Sequence, residues 1–216
     1  MSRRARPQAS RLGLCADKML SLYMNFFFKK HLLLPVIFFV LLSCNNSTSG
    51  SVTEMEFTVD SSLVDVLVRD TALHIEYRVP GSWTEIEAPE EALKQVQAGN
   101  MRVSKMLQNT EGSVVFSLTD VRNVADTTFR NLDENYKTIL NPSGAWNDIE
   151  RAEFNFTGFA VKQYVMMRPG QAFFKMFFSE HQRTAFQLDY SIMIDSSYAL
   201  HTKTLESIVG SLKHDH

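Results

Sequence analysis

Apolar and polar side chains alternate regularly over much of this chain, and the period of alternation changes along it. Leu73, Ile75, Tyr77 and Val79 alternate with His74, Glu76 and Arg78, the period of a half-buried strand. Pro80-Gly81 ends that strand and Trp83 follows. Pro89 as first helical residue, Leu93 and Val96 on one side, and Gly99 as a stop predict a short helix. Residues 101–107 and 113–121 read as two strands, with 109–112 turning between them. The period then lengthens. Asp126 suits an N-cap, and Phe129, Leu132, Tyr136, Ile139 and Leu140 share one helical face until Asn141-Pro142 stops it.

Residues 152–167 read as one extended segment whose apolar phase shifts around Gly158, as a bulge requires. Arg168-Pro169-Gly170-Gln171 has Pro and Gly at the central positions of a type II turn. Residues 172–178 return, 179–183 turn again, and Phe186, Leu188, Tyr190 and Ile192 alternate strictly. The expectation is a three-stranded meander. Tyr198, Leu205, Ile208, Val209 and Leu212 then form the apolar stripe of a closing helix. Upstream, Leu63, Val64, Val66, Leu67 and Val68 fit either a short helix or an early strand.

Runs of antiparallel strands punctuated by helices predict an α+β fold, a curved antiparallel sheet with helices packed on it. Alternation puts Phe174, Met176 and Phe178 on one face of their strand and Phe173, Lys175 and Phe177 on the other. One face must meet the helices. The other is either covered in a sandwich or presents an apolar surface to a partner or lipid, and the covered arrangement fits the predicted fold.

The entry Tyr77-x-Val79-Pro80-Gly81-x-Trp83 resembles the start of PsbP-like and DcrB-like domains. The long helix before a hairpin meander and the ending Ser207-Ile208-Val209-Gly210-Ser211-Leu212-Lys213 extend the resemblance over residues 73–213. It implies a small α/β/α sandwich that binds or assists larger machinery, often without catalysis, and it brings no active site to carry over. Residues 53–72 lie outside it, as an N-terminal extension.

The beginning of the chain follows another pattern. Lys29-Lys30 precedes an apolar run, residues 32–42, and then Ser43-Cys44. Basic residues, a short apolar segment and a small residue at the break make a secretory signal. The run is about half of the roughly 20 residues that a membrane-spanning helix needs, and Pro35 lies inside it. With a cysteine after the break it resembles a bacterial lipoprotein signal. That resemblance implies cleavage between Ser43 and Cys44 and acyl chains on Cys44, which would anchor the protein to a membrane. Residues 24–43 are then the signal peptide, and residues 1–23 read as an over-extended start, because Arg3, Arg4, Arg6 and Arg11 stand far from the apolar run. Cys44 and the polar residues 45–52 form a lipidated linker that stands the domain off the membrane. Asn45, where an aspartate would imply inner-membrane retention, leans the resemblance towards the outer membrane.

Beyond Cys44 the chain holds 15 basic and 23 acidic residues, a net of −8. An acidic domain without a basic cluster argues against nucleic acid as a partner. The only cysteines are Cys15 and Cys44, so the folded part has neither disulfides nor thiol chemistry. No Gly-x-Ser-x-Gly, phosphate loop or dinucleotide fingerprint is present, and no cofactor is implied. His74 reads as solvated, His181 as a turn residue beside Glu180, His201 as the edge of the last apolar stripe, and His214 and His216 as tail residues. None has the spacing of a metal site. The adjacent acids Glu90-Glu91 and Asp133-Glu134 point in different directions on helices and read as solvated faces.

Trp83 reads as a core anchor. Trp146, with Asn147 and Asp148, is the better contact residue, since an indole in a polar loop is available for binding. The sequence therefore points to a non-catalytic envelope lipoprotein that binds or scaffolds another envelope protein. A small-ligand or lipid carrier in the periplasm is the alternative, and an unrecognised hydrolase the least favoured reading.

Overall fold

The computed structural model describes residues 53–215. The signal, the Ser43–Cys44 break and the 45–52 linker lie outside the described residues. The strands form two antiparallel sheets. The smaller contains β1 (Val66–Asp70), β2 (Ile75–Val79) and β10 (Lys213–His214), in the order β1-β2-β10. The larger has seven strands: β3 (Thr84–Glu85), β4 (Arg102–Gln108), β5 (Val114–Asp120), β6 (Asp148–Phe156), β7 (Phe159–Arg168), β8 (Gln171–Glu180) and β9 (Arg183–Met193). Its order is β3-β4-β5-β9-β8-β7-β6. Among the described residues three helices pack on these sheets: α1 (Glu90–Ala98), α2 (Asp126–Ile139) and α3 (Tyr198–Gly210). The fold class is α+β.

Alternation along β9 positions the main core. Phe186, Leu188, Tyr190 and Ile192 are all fully buried, while the residues between them are half-buried at most. Across the strands Phe186 meets Phe178 and Leu188 meets Met176. Phe178 and Phe186 stack with centroids 4.6 Å apart, and Phe159 meets both edge-on. Ile75, Tyr77 and Val79 of β2 and Leu205, Ile208 and Val209 of α3 close this core from above.

The opposite face carries a smaller core. Leu132 of α2 packs with Tyr164 and Phe177, flanked by Phe129, Tyr136 and Leu140. Both faces of β8 are therefore covered, Phe174, Met176 and Phe178 on one side and Phe177 on the other.

The segment that the sequence left open between helix and strand is a strand, β1, paired with β2 from Val66↔Val79 to Asp70↔Ile75. The residues before it are fastened to the same body. Glu54 bridges to Asn155 in parallel, and Phe57 packs edge-on against Phe154 and Phe156. Asp60 donates its N–H to Ser207 Oγ (3.1 Å) and pairs with Lys203 (2.8 Å). The hydrogen bond from Lys203, reinforced by Ser62, holds the Asp60 carboxyl down at about 2.

The expected three-stranded meander is corrected by the structure. Residues 152–167 are not a single bulged segment but two strands, β6 and β7, joined at Thr157-Gly158, so the meander has four strands. Both turn residues have positive φ, 45° and 87°, as the two-residue turn matching strand twist requires. Thr is β-branched and disfavoured at positive φ, so the turn carried only half of its usual signature. The apolar phase shift was the parity reset of a hairpin. Smaller differences lie at helix starts: Ala125 rather than Asp126 occupies the cap position, without a side-chain bond, and Pro89 precedes α1 rather than opening it.

Two predictions follow from strain and burial. Thr157→Asn supplies the favoured Asn-Gly pair, and relief of the left-handed threonine outweighs its long 3.4 Å bond to the Leu212 carbonyl; a gain of about 1 kcal/mol is expected, a rise of about 2–4 °C in the melting temperature. The Tyr77 hydroxyl is buried without a hydrogen-bond partner among the described residues, and burial pushes its pKa well above the ordinary value, with Asp70 and Glu85 adding to the shift. Tyr77→Phe removes that orphan and should stabilise by about 1 kcal/mol in urea unfolding.

Candidate interaction surface

Trp146 follows α2 in a loop that one side chain organises. Asn141 accepts from the Trp146 N–H (2.9 Å) and donates from Nδ2 to the Trp146 carbonyl (2.8 Å). Asn147 donates its N–H to the Met167 carbonyl (2.9 Å), which ties the loop to β7. The indole lies 6.2 Å from the Phe173 ring, and the Arg168 guanidinium sits over it at 4.9 Å. Arg168 is in turn held by Gln171 (2.8 Å from Nε), and Gln171 donates to Ser191 Oγ (2.8 Å). Trp146 is thus half-buried, while Asn147 and Asp148 are exposed. Met167 and Met193, at the same end of the sheet, are 37% and 49% exposed. A held aromatic ring beside flexible thioethers suits an adaptable contact surface.

Two polar groups elsewhere join the sheets. Asp70, at the end of β1, accepts from the N–H groups of Ala72 and Leu73 (3.1 and 3.0 Å) and from Ser104 Oγ on β4. Asp120, at the end of β5, accepts from Arg122 Nε (3.0 Å) and an Arg122 terminal nitrogen (2.6 Å). That guanidinium also donates to the Ala72 carbonyl (2.7 Å). Burial alone would push the Asp120 carboxyl up, but the Arg122 hydrogen bonds bring it below the usual range. An open cleft of about 520 Å³ beside them is lined by Asn100, Met101, Arg102, Asp120 and Asn123. Its carboxylate is ionised and already neutralised by arginine, so it is a clamp and a poor general base.

The fold brings together one serine–histidine contact that sequence spacing could not reveal. Ser113 Oγ lies 3.5 Å from His201 Nε2, and Asn109 Nδ2 donates to the same hydroxyl (2.9 Å). The separation is long for an activated nucleophile, and among the described residues no carboxylate hydrogen-bonds the imidazole, so the orienting third group of a triad is missing. Glu180 ends β8 and His181 opens the two-residue β8–β9 turn, the two side chains 3.5 Å apart and the imidazole almost fully exposed. His74 occupies a left-handed position just before β2 rather than the polar face of the strand. Among the described residues no three His, Cys, Asp or Glu side chains cluster to hold a metal.

No protein-family model matches the chain, and none of the curated proteins does. Its fold has distant likenesses among solved structures. A Bacteroides thetaiotaomicron protein is 11% identical with a TM-score of 0.37; the match covers 68% of this chain and 47% of that one, so this chain spans less than half its length. The Ran-binding protein Mog1p of Saccharomyces cerevisiae is 9% identical with a TM-score of 0.41, covering 69% of this chain and 95% of its own. LpqN of Mycobacterium tuberculosis, involved in cell envelope biogenesis, is 11% identical with a TM-score of 0.37, covering 64% and 82%.

Half-burial sets what Trp146 contributes to stability. Trp146→Ala should cost about 1–2 kcal/mol, well short of the roughly 3–5 kcal/mol expected for Phe178→Ala in the main core. Thermal melts of the two variants side by side check this ordering, and equal losses would place Trp146 in the core.

Proposed function

We propose that this chain is a non-catalytic cell-envelope lipoprotein whose PsbP-like domain binds or scaffolds another envelope protein. The observation that carries the reading is the run Lys29-Lys30, residues 32–42, then Ser43-Cys44, the pattern of a lipid-modified signal. Cleavage before Cys44 and acylation there would anchor the domain, with residues 45–52 as its tether. Multiple acyl chains give stable attachment, and confinement at a membrane strengthens weak contacts by raising local concentration. Asn45 favours the outer membrane over the inner.

The docking surface in this reading is Trp146 with Asn147 and Asp148, extended by Arg168, Met167 and Met193. The carrier alternative needs room between helix and sheet, where Phe116, Phe178, Phe186 and Tyr190 are fully buried against one another and their neighbours.

Two experiments test the proposal. The N-terminal peptide of the membrane-extracted protein should begin at an acylated Cys44 by mass, and Cys44→Ala should move the protein from the membrane to the soluble fraction. An unmodified terminus in a soluble wild-type protein would overturn the anchor. In-cell crosslinking should recover a reproducible protein partner, reduced about tenfold or more by Trp146→Ala, a loss on the scale of a central aromatic anchor. A copurifying small molecule without a protein partner would favour the carrier instead.

A further inference from the structure

The open edge of the three-stranded sheet carries a sequence complementary to itself. β1 is its outer strand, and among the described residues no other strand pairs with it on that side. The Arg78 N–H on β2 points away from β1, donating to Ser211 Oγ (2.8 Å). Its cross-strand neighbour Leu67 therefore turns its own N–H and C=O outward, as paired residues do at the non-bonded positions of an antiparallel ladder. By the two-residue period Arg69 turns its own outward as well, and Asp65 immediately precedes the strand.

Val66 and Leu67 are each 43% exposed on this edge. Edge strands are commonly blunted by proline, a bulge or charged side chains; β1 has no proline or bulge, and its charged residues are Arg69 and Asp70 at its end. The run is Asp65-Val66-Leu67-Val68-Arg69. Laid antiparallel on an identical strand with Leu67 opposite Leu67, it places Val66 opposite Val68 and Asp65 opposite Arg69, twice by symmetry. A shift of two residues either way sets a charge against Leu67, so the register is specified.

We propose that the β1 edge docks the β1 edge of a second copy of this chain, about a twofold axis at Leu67, joining two three-stranded sheets into one. Such an interface is isologous, each residue meeting its complement on the other chain. The side chains are placed for it. Asp65 uses Oδ1 to accept the Gly81 N–H (2.7 Å), leaving Oδ2 for the partner. Arg69 is largely exposed, touching Glu76 at 3.4 Å, and Glu76 keeps Lys213 as a second cation when Arg69 is shared. The Asp65 carbonyl accepts from the Arg78 guanidinium at 3.2 Å and retains a lone pair for the Arg69 N–H across the axis. The pairing does not depend on acylation at Cys44.

The test is site-directed disulfide trapping in the full chain. Bonded antiparallel pairs have Cα atoms about 5.5 Å apart, within disulfide reach. Leu67→Cys should give, under mild oxidation, a disulfide joining position 67 of two chains, identified by peptide mass and so distinguished from Cys15 or Cys44. Its yield should exceed that from Val59→Cys, a comparably exposed site, by about tenfold. Adding Arg69→Asp places like charges opposite each other twice and should lower the yield about tenfold. Mixing that double variant with Leu67→Cys, Asp65→Arg chains should restore linkage between the two kinds of chain. No 67-to-67 linkage, a yield matching the Val59→Cys chain, or indifference to Arg69→Asp would each overturn the proposal. Sedimentation of the unsubstituted chain gives an independent reading, and a strict monomer at all concentrations would also overturn it.

Discussion

Burial of β8 on both faces is the constraint from which the layered arrangement follows. A strand carrying Phe174, Met176 and Phe178 on one side and Phe177 on the other cannot lie at the surface of a single-sided sheet without exposing a large aromatic area. Two covers are needed, and the chain supplies them from distant parts of the sequence. One is α3 with the small sheet; the other is α2. With no cysteine beyond Cys44, these apolar layers hold the domain together without disulfides.

The two sheets are fixed to each other by polar groups at one rim. Asp70 reaches Ser104, and Arg122 spans from Asp120 to the Ala72 carbonyl. Each buried carboxylate is satisfied by several donors, which is the condition for burying charge without losing stability. On the other side Asp133 of α2 accepts from Tyr164 (2.8 Å) and Lys162, and its carbonyl accepts from Arg151 (3.1 Å). These bonds set the position of α2 on a face whose apolar area is small. Hydrophobic burial supplies the drive, and the ion pairs choose the register.

The Trp146 loop shows the same division. Its indole rests on Phe173 and under Arg168, so the candidate contact surface is held by the sheet and its shape is largely preformed. A preformed surface loses less entropy on binding than a loose loop. The ring's half-burial also means that any contact it makes with a partner is coupled to its packing on Phe173, and a substitution there changes the packing too.

What the sequence determined by itself is what local periodicity encodes. The strict alternation of Phe186 to Ile192, the helical face from Phe129 to Leu140, and the Pro169-Gly170 turn are each set by residues close in the chain, and the α+β class follows from their order. Lys29-Lys30 through Cys44 is likewise a local pattern. The Thr157-Gly158 hairpin was half-hidden because a β-branched residue occupies a left-handed position, closed by the Phe156↔Phe159 pair. The strand identity of β1 was undecidable from a mixed apolar run, and pairing with β2 settled it. Trp146 was visible as an indole in a polar loop, but its tilted contact with Phe173, 27 positions away, was not. The meeting of Ser113 with His201, the Asp70–Ser104 contact and the outer position of β1 among the described strands belong to tertiary structure alone, because each depends on which strands become neighbours. That choice is made by burial summed over the whole core, which no local window of sequence contains.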